Sequence, residues 1–233
     1  MPKHHQVKER IAALIADAAP GTLVPTEREL ALRFETSRTT VRQALAALSA
    51  DGRLERTQGR GTFVAEPKRV IVRQLTSYSD DLRDQGRDPS STLLSVRRER
   101  ADARVAERLG LAEGTRVHRV ERLRGVGGEP LAHEIAHLAG ALPRLRAELQ
   151  RRGSLYTTLR EAYGVQVSRV EDRVETVLAD PDEALLLGID VGVPLLLIHR
   201  TGWAGDGRPV EFTRSVFRGD RFSFVAQSAV PTG

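Results

Sequence analysis

The run SRTTVRQAL, Ser37 to Leu45, with GRGTFV at Gly59 to Val64 behind it, limits what this chain can fold into more than any other stretch. Ser37 is a residue type that caps helix starts, and Val41, Leu45 and Leu48 then recur at helical spacing as an inward face. That register leaves Arg38, Thr39, Thr40, Arg42 and Gln43 on the outer side or leading end, where such side chains reach base edges and phosphates in a major groove. Arg38 and Arg42, four apart, share one helix face. Asp51 and Gly52 end the helix. Leu54 to Arg56 and Thr62 to Val64 predict two short strands around Thr57 to Gly61, where two glycines permit a tight turn.

Upstream, Val7, Ile11, Leu14, Ile15 and Ala18 form the stripe of an amphipathic helix over Val7 to Ala18, stopped by Pro20 and Gly21. Thr26 and Glu29 make a capping box for a second helix carrying Leu30, Ala31 and Phe34, and Glu35 with Thr36 makes the turn. Three helices and a hairpin in this order predict a winged helix-turn-helix. Arg28 is then placed to hold a phosphate, and Gln58, Gly59, Arg60 and Gly61 to follow the minor groove.

Charge agrees with this division. The net charge is +5, with 12 Lys and Arg against 8 Asp and Glu in residues 1 to 69 and 24 against 23 in the rest. Positive charge concentrated in one small region suits contact with a polyanion. Without cysteine there are no disulfides or thiolate metal sites, which fits a reducing compartment. No basic start precedes an apolar stretch, and nowhere do about 18 uncharged apolar residues run together, so a cytoplasmic protein with no membrane partner is expected.

After a linker within Ala65 to Arg73, the pattern changes to mixed strands and short helices. Leu93 to Arg97, Arg116 to Val126, Leu131 to Leu138, Val165 to Val177, Leu195 to Trp203 and Pro209 to Phe217 predict strands, and Gly127-Gly128 signals a hairpin. Ala103 to Leu109, Leu155 to Tyr163 and Pro181 to Leu187 predict helices. ADARVAERLGLAEGTRV and ADPDEALLLGIDVGVPL share a helix, glycine, turn and strand rhythm that hints at an internal duplication. Arg122 and Arg124, two apart on a strand, point to one face, where they repel unless an anion joins them. A phosphate does this well, because its oxygens match forked guanidinium donors; exposed arginines paired with local carboxylates are the alternative.

The segment PTERELALRFETSRTTVRQALAALSADGRLERTQGRGTFVAEPK resembles the DNA-binding domain of the GntR family of bacterial transcription regulators. The following 160 or so residues resemble the effector-binding UTRA domain of its HutC subfamily, and LTSYSDDLRDQG, ERLR, GEPLAHE, SLYTTL and RSVFRGDRFSF are most similar to the N-acetylglucosamine-responsive members. The resemblance implies an α+β chain: a winged helix-turn-helix over 1–66, a linker at 67–73 and a chorismate lyase-like domain with a mainly antiparallel sheet over 74–233. It implies a homodimeric repressor on pseudo-palindromic operator DNA, with no cofactor, whose effector is N-acetylglucosamine 6-phosphate or glucosamine 6-phosphate. Arg122, Arg124, Ser154 and Tyr156 match the family's phosphate contacts, with the loop at Ser77, Tyr78 and Ser79 contributing. Glu134 and Glu211 match the residues that grip the sugar, and Phe217 stands where close relatives carry a tyrosine.

Two enzyme readings compete. His133 to His137 spells HEIAH, a formal zinc-protease motif. That chemistry needs a helix, where residues four apart lie about 6 Å from each other; the alternation here predicts a strand, with the imidazoles about 13 Å apart. A sugar-phosphate enzyme is suggested by the lyase-like fold, but no nucleophile or matched acid-base pair supports it. A DNA-binding protein without an effector is the remaining class.

Overall fold

A computed structural model describes residues 3–57, 59–65, 69–72 and 89–225. The chain divides into two compact units, residues 1–69 with 219–223, and residues 70–218 with 224–233.

In the first unit, α1 (Lys3–Leu14), α2 (Glu27–Arg33) and α3 (Arg38–Ala50) precede the hairpin of β1 (Leu54–Thr57) and β2 (Gly61–Val64). Val7, Ile11 and Ile15 pack with Leu30, Val41, Ala44, Leu48 and Leu54 in one core. The capping box forms at Thr26: its hydroxyl accepts from the Glu29 amide at 3.3 Å, and the Glu29 carboxylate accepts from the Thr26 amide at 2.8 Å. Ser37 Oγ accepts from the Thr40 amide at 3.1 Å, so α3 begins where its cap dictates. The first helix runs earlier than its stripe predicts, because Ile15 stays buried in the turn after the helix has ended. In the wing, Leu54 faces Val64 and Thr57 faces Gly61. Gly61 has φ of 124°, and a Cβ there would lie 2.9 Å from Leu23 Cδ1, so both backbone and space call for glycine.

The second unit is a six-stranded antiparallel sheet in the order β4-β5-β6-β9-β8-β7. Its strands are β4 (Pro89–Arg100), β5 (Arg116–Val126), β6 (Glu129–Leu138), β7 (Val167–Leu178), β8 (Pro194–Ala204) and β9 (Pro209–Arg218). Helices α5 (Leu145–Arg152) and α6 (Leu155–Tyr163) cover one face through Val120, Ala136 and Leu138. On the other, α4 (Ala103–Leu109) packs on Val117 and Phe212, and α7 (Pro181–Leu187) on Leu195 and Val216. The proposed duplication has a structural counterpart. Each half runs strand, helix, strand, strand, and its helix starts at an aspartate cap, Asp102 or Asp180, and stops at a left-handed glycine, Gly110 or Gly188. The halves meet where β6 pairs with β9.

Further elements depart from the sequence expectation. Residues Arg69–Val72, expected as linker, form β3, which pairs with β10 (Phe222–Val225). Helix α5 was not anticipated: no side chain caps it, and Arg144 at its start has φ of 57°. By its contacts the segment Gly219–Ser223 groups with the first unit, where Arg221 Nη2 donates to Glu55 at 2.6 Å.

Candidate DNA interface and effector site

On α3, Val41, Ala44, Leu45 and Leu48 face the core, which turns Arg38, Thr39, Arg42 and Gln43 outward and leaves Thr40 half-buried. Arg28 is exposed on α2, as are Gly59, Arg60 and Gly61 at the wing tip; Gln58 lies outside the described residues. Arg38 has no hydrogen bond or ion pair among the described residues, so its guanidinium is free to meet a base. Arg42 differs. Its Nε donates to Glu27 Oε1 at 3.1 Å and its Nη2 to Glu27 Oε2 at 2.9 Å, while Arg56 Nη2 lies 3.8 Å from the same carboxylate. The Arg42 hydrogen bonds hold the Glu27 carboxyl below its ordinary pKa. Glu27 therefore orients Arg42 on the face that carries Arg38, a role that only the folded register between α2 and α3 reveals.

The helix-covered face of the sheet gathers the second group. Arg122 and Arg124 lie on one side of β5, with Glu134 of β6 directly opposite Arg122. All three are buried. Arg122 Nη2 donates to Glu134 Oε1, and Arg124 Nη2 reaches the same oxygen at 3.3 Å while its Nη1 donates to Ser91 Oγ at 3.3 Å. A local carboxylate thus joins the two guanidiniums where the sequence argument placed an anion, but in the interior rather than at the surface. The Glu211 carboxylate also acts on the Arg122 charge. Burial, and then the neighbouring Arg124, pushes the Arg122 pKa down to about 10. Its Nε and Nη1 are buried without a hydrogen-bond partner.

Further along the same face, Glu211 Oε2 accepts from the Tyr156 hydroxyl at 2.7 Å and Oε1 from Thr213 Oγ1 at 2.6 Å. Gly202 sits opposite Glu211 on β8, where a Cβ would lie 3.1 Å from the carboxylate, so the glycine makes room for it. Burial, reinforced by the charge on Glu211, raises the Tyr156 pKa and keeps the phenol protonated. Ser154 caps α6, its Oγ accepting from the Thr157 amide at 3.3 Å. Phe217 is buried on this face between Ala132 and Leu196. Ser77, Tyr78 and Ser79 lie outside the described residues.

Sequence reasoning missed two members of this face. Ser215, opposite Glu134, is buried with its hydroxyl unpartnered. Arg200 donates to Asp172 through Nε at 2.7 Å and Nη2 at 2.6 Å. Burial disfavours its charge, but the Asp172 fork outweighs this and the pKa is raised. The duplication held the missing signal, because Arg200 is spaced from Asp180 as Arg122 is from Asp102.

The HEIAH segment lies in β6, with His133 Nε2 2.9 Å from Glu121 and His137 Nε2 3.0 Å from Glu99. Each histidine has its own carboxylate, and the helical geometry of a zinc protease is not formed.

A capped recognition helix with a wing, in a chain that also carries a sheet domain with buried arginines and carboxylates on one face, defines a DNA-binding transcription regulator. The comparisons specify which. Residues 3–64 match the gntR family of bacterial regulatory proteins and residues 84–223 match the UTRA domain; the chain belongs to this family and is of the HutC type. It is 35% identical to the HTH-type transcriptional repressor NagR of Bacillus subtilis, over 97% of this chain and 94% of that protein. It is 34% identical to the histidine utilization repressor of Pseudomonas putida, over 94% and 89% of the two chains. The crystal structure of PhnF from Mycobacterium smegmatis superposes with a TM-score of 0.68 at 35% identity, covering 96% of this chain and 99% of that one. These relatives are regulators rather than enzymes, and the chain is a transcriptional repressor of the GntR/HutC type.

Proposed function

We propose that this repressor controls genes for aminosugar uptake and metabolism and that a phosphorylated aminosugar, N-acetylglucosamine 6-phosphate or glucosamine 6-phosphate, binds its UTRA domain and alters operator binding. The observation that carries the reading is the Arg122 guanidinium, buried beside Arg124 with two donor atoms that have no hydrogen-bond partner among the described residues. A phosphate oxygen would accept from those donors. Glu134 and Glu211 offer carboxylate oxygens to sugar hydroxyls or an ammonium, and the 35% identity to NagR supports the aminosugar class. Arg38, Thr39, Thr40, Arg42 and Gln43 read operator bases, with Arg28, Ser37 and residues 58–61 on the backbone and minor groove. The protein acts as a cytoplasmic homodimer; among the described residues no helix is long and apolar enough to cross a membrane.

A thermal-shift series with both sugar phosphates, free N-acetylglucosamine and inorganic phosphate, paired with operator titrations, tests this. One sugar phosphate should raise the melting temperature and change operator affinity. No change in either at millimolar ligand would sink the assignment. Phe217 favours a second reading: without a hydroxyl, the site loses a sugar hydrogen bond of about 0.5–1.5 kcal/mol, so another sugar phosphate or a small carboxylate belongs in the panel.

A further inference from the structure

Four residues before Arg122 on β5, His118 borders a different cavity of about 680 Å³ between β4, β5 and the start of α5. Its inner wall is apolar, formed by Val96, Leu142 and Leu145. Around its mouth stand Arg98, Arg144 and Arg146, none of which has a hydrogen bond or ion pair among the described residues. Among the described residues no carboxylate lines the cavity. Arg119, Arg152, Arg200 and Arg214 of this unit, by contrast, each have an acidic partner. His118 adds no charge to it: burial and then Arg98 hold its pKa down, and its Nε2 accepts from the Leu142 amide at 3.4 Å.

We propose that this cavity is a second small-molecule site, for an organic acid with an apolar body and an anionic head. The head meets Arg98, Arg144 and Arg146, whose mutual repulsion an anion relieves, and the body covers Val96, Leu142 and Leu145. The volume lies within the range of about 300–1,000 Å³ usual for small-molecule pockets. None of its lining residues belongs to the cluster of Arg122, Arg124 and Glu134, so the site is independent of the proposed effector.

Naphthalene-1-carboxylate is a suitable probe, titrated into the full chain with amide chemical shifts as readout. Saturable binding below about 1 mM is expected, with shifts at Val96 to Arg98, His118 and Ala141 to Ala147. Arg144→Gly removes a guanidinium and relieves a left-handed backbone at φ of 57°, so the fold should persist while affinity falls about threefold to tenfold; Arg146→Gln should act alike. The neutral carboxamide should bind at least about tenfold more weakly. The absence of saturable shifts, shifts confined to Arg122 and Glu134, equal affinity for the carboxamide, or equal affinity for inorganic phosphate would each overturn the proposal.

Discussion

Replacing Arg122 with glutamine separates the proposed ligand-binding role of its guanidinium from a structural one. Removing one member of a buried ion pair ordinarily costs about 3–5 kcal/mol, because the remaining charge is stranded. Here Glu134 keeps Arg124, and burial already disfavours the Arg122 charge, so Arg122→Gln does not strand the carboxylate. The variant should melt no lower than the parent without ligand, yet lose about 10-fold to 150-fold in sugar-phosphate affinity, the equivalent of about 1.5–3 kcal/mol in charged hydrogen bonds. Calorimetric titration and a melting curve check both halves. Histidines give a second residue-scale expectation. Burial is the leading cause of the lowered pKa values of His118, His137 and His199. The unfolded chain therefore takes up protons first, so stability is complete above about pH 6.5 and is lost as the pH falls through that value. Glu121, held at about 2 against burial by Arg119 and His133, contributes stability that is complete above about pH 4.5 and is lost as the pH falls from there to about 2. Melting temperature should thus already decline between about pH 7 and pH 5; a flat profile there would contradict it. The arginine pair was legible in sequence because a two-residue spacing on a strand sets a common face. The partner was not, since the choice of Glu134 depends on the register between β5 and β6, and the interior location depends on helices far along the chain.

Elements with explicit start and stop chemistry were read to the residue. Helices α4, α6 and α7 open at Asp102, Ser154 and Asp180, each accepting from a backbone amide, and close at Gly110, Gly164 and Gly188 in left-handed conformation. Helix α5 carries no such opening. Its first residue follows a left-handed arginine without a side-chain cap, and it buries only Leu145 and Leu149, too brief a stripe to declare a period. Strand β4 extends beyond its expected limits because pairing with β5 continues to Pro89 and Arg100 at its ends, whatever the local alternation. The recognition helix supports a prediction at this scale. Arg38→Ala should cost about 1–3 kcal/mol in operator binding while leaving affinity for random DNA nearly unchanged, because a base contact specifies whereas phosphate contacts position. Competition titrations against random duplex measure that ratio, and equal losses on both would remove the base-reading role of Arg38.

At the scale of the molecule, the sheet unit is two copies of one strand, helix, strand, strand pattern, and the duplication sets the residues of the proposed effector site on a shared face. Arg122 comes from one half, while Arg200, Glu211 and Ser215 come from the other, with β6 and β9 meeting at the centre. The repeat was audible in sequence as paired aspartate caps and glycine stops; its consequence for the site was not, because only sheet order brings the halves together. The winged unit is the output. A ligand bound by the sheet unit alters it only as far as binding differs between DNA-competent and DNA-incompetent states; moving a population from 1:99 to 99:1 takes about 5.5 kcal/mol. The most direct test of the account is operator affinity, by fluorescence anisotropy at fixed salt, with and without N-acetylglucosamine 6-phosphate and glucosamine 6-phosphate, in parent and Arg122→Gln proteins. A change of at least about tenfold in the parent with one of these ligands, absent in the variant, is the predicted result. Equal operator affinity at every sugar-phosphate concentration, or an unchanged response in Arg122→Gln, would contradict it.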